Sequence, residues 1–129
     1  MSINAPIKPK TTLGSAGLRG FFRIAEQWQL STDAQIKLLN VPPSTFHGWK
    51  ANPDGARLHH DTLERISYIL GIYKDLHILL SNKQSADNWV HKPNQASIFG
   101  GHSAIERMIG GNVSDLFVVR QYLDAQVKG

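Results

Sequence analysis

The sequence predicts an all-α fold, an N-terminal helix-turn-helix bundle followed by a small second helical unit. Three features carry that expectation. Apolar residues recur at three- and four-residue spacing along most of the chain. Pro, Gly and Asn cluster between those stretches, where helices stop and turns begin. Residues Thr32 to Ala51 lay out two short helices joined by a tight turn. The chain has 129 residues, of which 41% are hydrophobic, enough to bury a core without covalent staples.

Residues 1–13 carry Pro6, Pro9, Lys8 and Lys10 with little periodicity, and read as a flexible basic arm. Residues 15–29 read as a helix, because Leu18, Phe21, Phe22, Ala25 and Trp28 define one wide apolar face. Ser31 suits the N-cap of the next helix, Thr32 to Leu39, in which Ile36 and Leu39 share a face. Asn40 stands at the turn because Asn tolerates a left-handed backbone. Val41 follows as a buried plug, and Pro42-Pro43 opens the second helix, where a missing N–H costs nothing. Phe46 and Trp49 should face the first helix of the pair, leaving Pro43, Ser44, His47, Gly48 and Lys50 outward. Asn52-Pro53-Asp54-Gly55 reads as a turn or short wing.

The longest helix begins at His60 or Asp61 and reaches about Leu80. Leu63, Ile66, Leu70, Tyr73, His77 and Leu80 form one stripe on it, and Ile69, Ile72, Leu76 and Leu79 form a second. So little polar circumference requires burial on more than one side, against both halves of the protein or against a second copy. Gly71 admits a close neighbour or a kink. The polar run 81–88 reads as the internal boundary. Beyond it come a helical turn stopped by Pro93, a helix near Ser103 to Ile109 ended by Gly110-Gly111, and a last helix from Val113 to Val127. Leu116, Val119 and Leu123 share one face of that helix. The domain expectation is therefore an arm (1–13), a helix-turn-helix domain (14–59) and a second unit (60–129).

The net charge of +4 is unevenly spread. Residues 1–30 carry Lys8, Lys10, Arg19 and Arg23 against Glu26, and residues 31–59 carry Lys37, Lys50 and Arg57 against Asp33 and Asp54. The remaining residues balance to zero, so the basic excess sits around the helix-turn-helix, as an electrostatic footprint for DNA would. The second helix of such a motif can enter the major groove. Its outward residues are poor readers of base edges, leaving Ser44, Thr45 and His47 to weak contacts and Lys37, Lys50 and Arg57 to phosphates.

Other chemistry finds little support. There is no Cys, which excludes disulfides, thiol catalysis and thiolate metal sites, and suits a cytosolic protein. No run has the length of a transmembrane helix, and no leader is expected at the start. His59-His60-Asp61 with Glu64 is the nearest approach to a metal cluster, yet acidic groups in a first helical turn are favoured by the helix dipole alone. His77, on an apolar stripe, reads as a hydrogen-bonded core histidine. Gly100-Gly101 lacks a phosphate-loop signature. No cofactor and no catalytic residue are expected.

Two resemblances sharpen the reading. Leu39-Asn40-Val41 through Ser44-Thr45-Phe46 to Trp49 resembles the helix-turn-helix of Xre-type regulators, with Asn40 in the place of a turn glycine and Ile36 in that of a small residue. Trp89, Pro93-Asn94, Phe99-Gly100-Gly101, the segment Ser103 to Met108, Gly111 and the segment Val119 to Ala125 resemble the toxin-binding domain of Xre/MbcA/ParS antitoxins. Ala104 stands where that family has a helix-starting proline. The resemblance implies a dimeric, non-enzymatic antitoxin whose partner is a RES-domain toxin that consumes NAD, and which represses its own operon by binding operator DNA. It places the inhibitory surface on Arg120, Tyr122, Asp124, Gln126, Lys128 and Gly129. A narrow tail ending in Lys128-Gly129 could enter a cleft built for an extended dinucleotide, and Arg120 could pair with an acidic group. Two other readings stay open: a stand-alone transcription regulator with a C-terminal dimerisation module, and a small all-α enzyme.

Overall fold

A computed structural model describes residues 13–129. The basic arm expected at residues 1–13 lies outside the described residues, except for Leu13. The described chain is helical throughout: α1 (Leu13–Gln27), α2 (Thr32–Leu39), α3 (Pro43–Ala51), α4 (His60–Leu79), α5 (Lys83–Asn88), α6 (Ala104–Met108) and α7 (Val113–Lys128). Short 3-10 turns span Pro53–Gly55 and Trp89–His91. A single antiparallel bridge joins Pro93 and Ser103 across the loop before α6.

Local chemistry sets most boundaries. Ser31 caps α2 by accepting from the Ala34 N–H at 3.0 Å. Asn40 ends it with φ 55° and ψ 51°, the left-handed conformation that turns the chain toward α3. Pro43 occupies the first turn of α3. Ser103 and Glu106 form a reciprocal capping box on α6, and Gly111, with φ +99°, makes the turn into α7. Gly110, paired with it in the sequence reading, keeps a negative φ.

α4 is the spine. It packs most extensively on α7, then on α1, and also touches α5 and α2. The core is continuous, running from Leu18, Phe21 and Trp28 of α1 through Ile69, Ile72 and Leu76 of α4 to Leu116, Val119 and Leu123 of α7. Arg65, its side chain only 5% exposed, binds the parts together. Its Nε donates to Asp61 at 2.9 Å, its Nη2 donates to the Gly111 carbonyl at 2.9 Å, and its Nη1 donates to the Leu38 carbonyl at 3.4 Å. His91 adds a second tie, Nε2 to the Trp28 carbonyl at 2.6 Å.

The structure corrects several expectations. The polar run 81–88 is no linker. Asn82 caps α5 through the Ser85 N–H, Lys83 pairs with Asp87 at 2.8 Å, and Ala86 is fully buried against the core. Polarity there is spent on a cap and an i,i+4 pair rather than on solvent. On α2 the buried face is Gln35, Leu38 and Leu39, with Ile36 only half-buried. Val41 is likewise half-buried. On α4 the second apolar stripe is core up to Leu76, while Leu79 stays exposed. Of the first stripe only Ile66 is fully buried; Leu70, Tyr73 and Leu80 are half-buried against the core, and Leu63 stays 38% exposed. Residues Arg65 and Asp75, polar in sequence, are buried instead.

Candidate functional site: two exposed faces on one scaffold

Phe46 and Trp49 turn inward on α3, so the residues between them face out. Ser44, His47, Gly48 and Lys50 are exposed, and Thr45 is half-buried. The His47 ring stands edge-on to Phe46 at 5.3 Å. The Lys50 ammonium lies 4.5 Å from the centre of the Phe22 ring, a cation–π contact that draws the charged tip back against α1. Lys37 is exposed and paired one turn away with Asp33 at 3.1 Å, and Arg57 is exposed in the segment leading to α4. Lys50 on α3 and Arg57 in the following segment are thus both exposed cations.

Sequence reasoning missed the brace behind that face. Arg19 of α1 pairs with Asp54 in the turn after α3 at 2.6 Å, and this bond holds the Arg19 guanidinium above its ordinary pKa. The partners are 35 positions apart, and no local pattern links them.

The second face is the outer side and end of α7. Gln126, Lys128 and Gly129 are exposed, while Arg120, Tyr122 and Asp124 are half-buried. Tyr122 meets Phe99 edge-on at 5.5 Å, so its ring is partly core. Arg120 lies back across α4. Its Nε donates to Asp124 at 3.1 Å and its Nη1 donates to the Ser67 carbonyl at 3.3 Å. The guanidinium occupies the space that a side chain at position 71 would fill, so Gly71 lets Arg120 lie flat on α4. The narrow tail expected at Lys128-Gly129 is instead helical through Lys128, with Gly129 as its C-cap.

Between Arg120 and Lys128, α7 and α4 form a shallow groove of about 490 Å³ lined by Tyr68, Phe117, Gln121 and Ala125. Phe117, 43% exposed, stands edge-on to Tyr68 at 5.7 Å, and the Tyr68 hydroxyl donates to Glu64 at 2.6 Å. That bond raises the Tyr68 pKa. The Phe117–Tyr68 pair joins two helices far apart in sequence, and no local pattern marks it.

The histidines take structural places. His77 Nε2 lies 3.0 Å from Asp87, and its ring is only partly buried. Burial pushes Asp87 up, but hydrogen bonds from Lys83 and His77 outweigh it and hold the carboxylate below its usual pKa. His59 precedes α4, Asp61 is taken by Arg65 and Glu64 by Tyr68. Among the described residues no group of three or more His, Asp or Glu converges as a metal site would.

Comparisons with known proteins match both halves. Residues 10–71 match the antitoxin Xre-like helix-turn-helix domain, and residues 75–129 match the antitoxin Xre/MbcA/ParS C-terminal toxin-binding domain. The two matches meet inside α4. The chain is also 50% identical over 115 residues to the uncharacterized protein y4oB of Sinorhizobium fredii (strain NBRC 101917 / NGR234), covering 88% of this chain and 86% of that protein.

Proposed function

This chain belongs to the Xre-type antitoxins, and from that premise we propose that it binds and blocks a RES-domain toxin, so sparing NAD, and represses its own operon. The observation that carries the reading is the pairing of two outward faces on one continuous core: α3 with Ser44, His47 and Lys50, and α7 with Gln126 and Lys128. Thr45, Lys37 and Arg57 complete the DNA face, where phosphate contacts dominate because no strong base reader points outward. Arg120, Tyr122, Asp124, Gln126, Lys128 and Gly129 belong to the toxin face. Because α7 stays helical to Lys128, the blocking element is a helix end rather than an extended strand of chain. Neither face needs a cofactor or performs chemistry.

Homodimerisation is part of the same proposal. A groove of about 520 Å³ between α1 and α4, lined by Leu13, Gly14, Gly17, Leu63 and Leu70, leaves apolar surface uncovered, and Leu13 is 90% exposed. No helix among the described residues is long and apolar enough to cross a membrane. Operator DNA and a metabolic toxin together put the protein in the cytoplasm.

Co-expression with the product of the adjacent reading frame tests the proposal. The two proteins should co-purify, and cellular NAD should stay high only when the antitoxin is present. A neighbour that neither binds this chain nor depletes NAD would refute the toxin assignment. Light scattering of the free protein should give twice the chain mass.

A further inference from the structure

We propose that Asp75 is a pH-dependent positioning residue for α7: in mild acid it carries a proton, donates to Asp124 and fastens the toxin-facing helix to the spine. The inference rests on reading α7 as the toxin face, but its test does not involve a toxin.

Burial on the α4 side favours the neutral acid. Asp75 lies on the buried side of α4, only 6% exposed. Its Oδ2 is fully buried with no hydrogen-bond donor within reach. A buried carboxylate oxygen left without a donor is costly, and the neutral acid removes that cost by supplying its own. The group it faces is the Asp124 carboxylate across the α4–α7 seam. Asp124 in turn accepts from Arg120, which lies over Gly71 and donates to the Ser67 carbonyl. Asp75 is thus one end of a chain of polar contacts that ties Arg120 and Asp124 to α4.

The surrounding charges are accounted for on each packed element. From α7, Asp124 and Arg120 face Asp75, with Lys128 acting on Asp124. On α4 the nearby cation is Lys74. On α5, Asp87 pairs with both Lys83 and His77. On α1, Arg19 is engaged by Asp54, and Arg23 and Glu26 point to solvent. Burial first, and then the bond and charge of Asp124, raise Asp75 to about 6. The same shared bond holds Asp124 down. The fastening is therefore complete in mild acid and loosens as pH rises through about 6, when two carboxylates face each other across the seam.

Two measurements on the full chain decide it. Carbon-13 NMR of the Asp side chains should show one native carboxyl titrating near pH 6, and the amide signals of residues 120–128 should shift with the same midpoint. Denaturant unfolding compares wild type with Asp75→Asn, which keeps a donor but cannot ionise. Between pH 4 and 6 the wild-type unfolding constant should rise by up to about tenfold per pH unit more than that of the variant. At pH 7.5 Asp75→Asn should be as stable as wild type or more so. An Asp75 that titrates below pH 5, α7 signals that ignore its midpoint, or an unchanged pH slope in Asp75→Asn would each overturn the proposal. If the variant fails to fold at pH 7.5, that too counts against a native acid.

Discussion

Gly71 and Arg65 show how single residues decide the α4 surface. At Gly71 any side chain would meet the Arg120 guanidinium where it now lies, bonded to Asp124 and the Ser67 carbonyl. Gly71→Ala should push the Arg120 guanidinium off the Ser67 carbonyl, yet change stability by less than about 1 kcal/mol in denaturant unfolding, because the clash falls on the end of a flexible side chain and Ala favours the helix by about 1 kcal/mol. Arg65→Met would strand the Leu38 and Gly111 carbonyls, a loss of about 1–3 kcal/mol. Arg65→Lys should recover only part of that loss, because a single ammonium cannot reproduce the fork. On the DNA face, Lys50→Ala should weaken binding about equally across sequences and reduce the salt dependence by about one phosphate contact. A loss confined to one operator base in a binding assay would contradict the phosphate role. The Asn40 turn was legible in the sequence because its cause is local. Arg65 was not, since its partners lie 27 and 46 positions away.

At the scale of elements, a helix is readable when its face and its caps lie within its own span. That holds for α1, α3 and α7 and for the ends of α2, with Ser31, Pro43 and Gly111 beside them, while the α2 face turned on the buried Gln35. α5 escaped because it is only six residues long and mostly polar, and its stability comes from Asn82, from the Lys83–Asp87 pair and from docking on α4. Asn82→Ala should cost about 1 kcal/mol by removing that cap. α7 carries the other element-scale prediction. Removing Lys128-Gly129 should weaken toxin inhibition and leave the unfolding midpoint within experimental error, since both residues are exposed. Equal inhibition by the shortened protein would move the toxin contact off the helix end.

The molecule as a whole is one core, although two family domains meet within it. Circular dichroism and tryptophan fluorescence should therefore report one coincident unfolding transition. Its pH dependence combines opposite signs. Asp87 and Glu106 have lowered pKa values, so their stabilisation is present above the ordinary carboxylate range and fades as pH falls through their folded values. Glu106 is lowered chiefly by the Ser103 N–H of the capping box. Asp75 is raised, so its contribution is present in acid and is lost by about pH 6.

Sequence alone determined the all-helical class, most helix spans, the turn at Asn40 and the outward set on α3, because periodicity, caps and φ preferences act over a few residues. Tertiary structure decided which flank of α4 is core, that α5 is a helix, that Arg120 folds back over Gly71, and that Asp75 is buried against Asp124. Those outcomes depend on which distant surfaces meet and exclude water, and no short-range pattern records that.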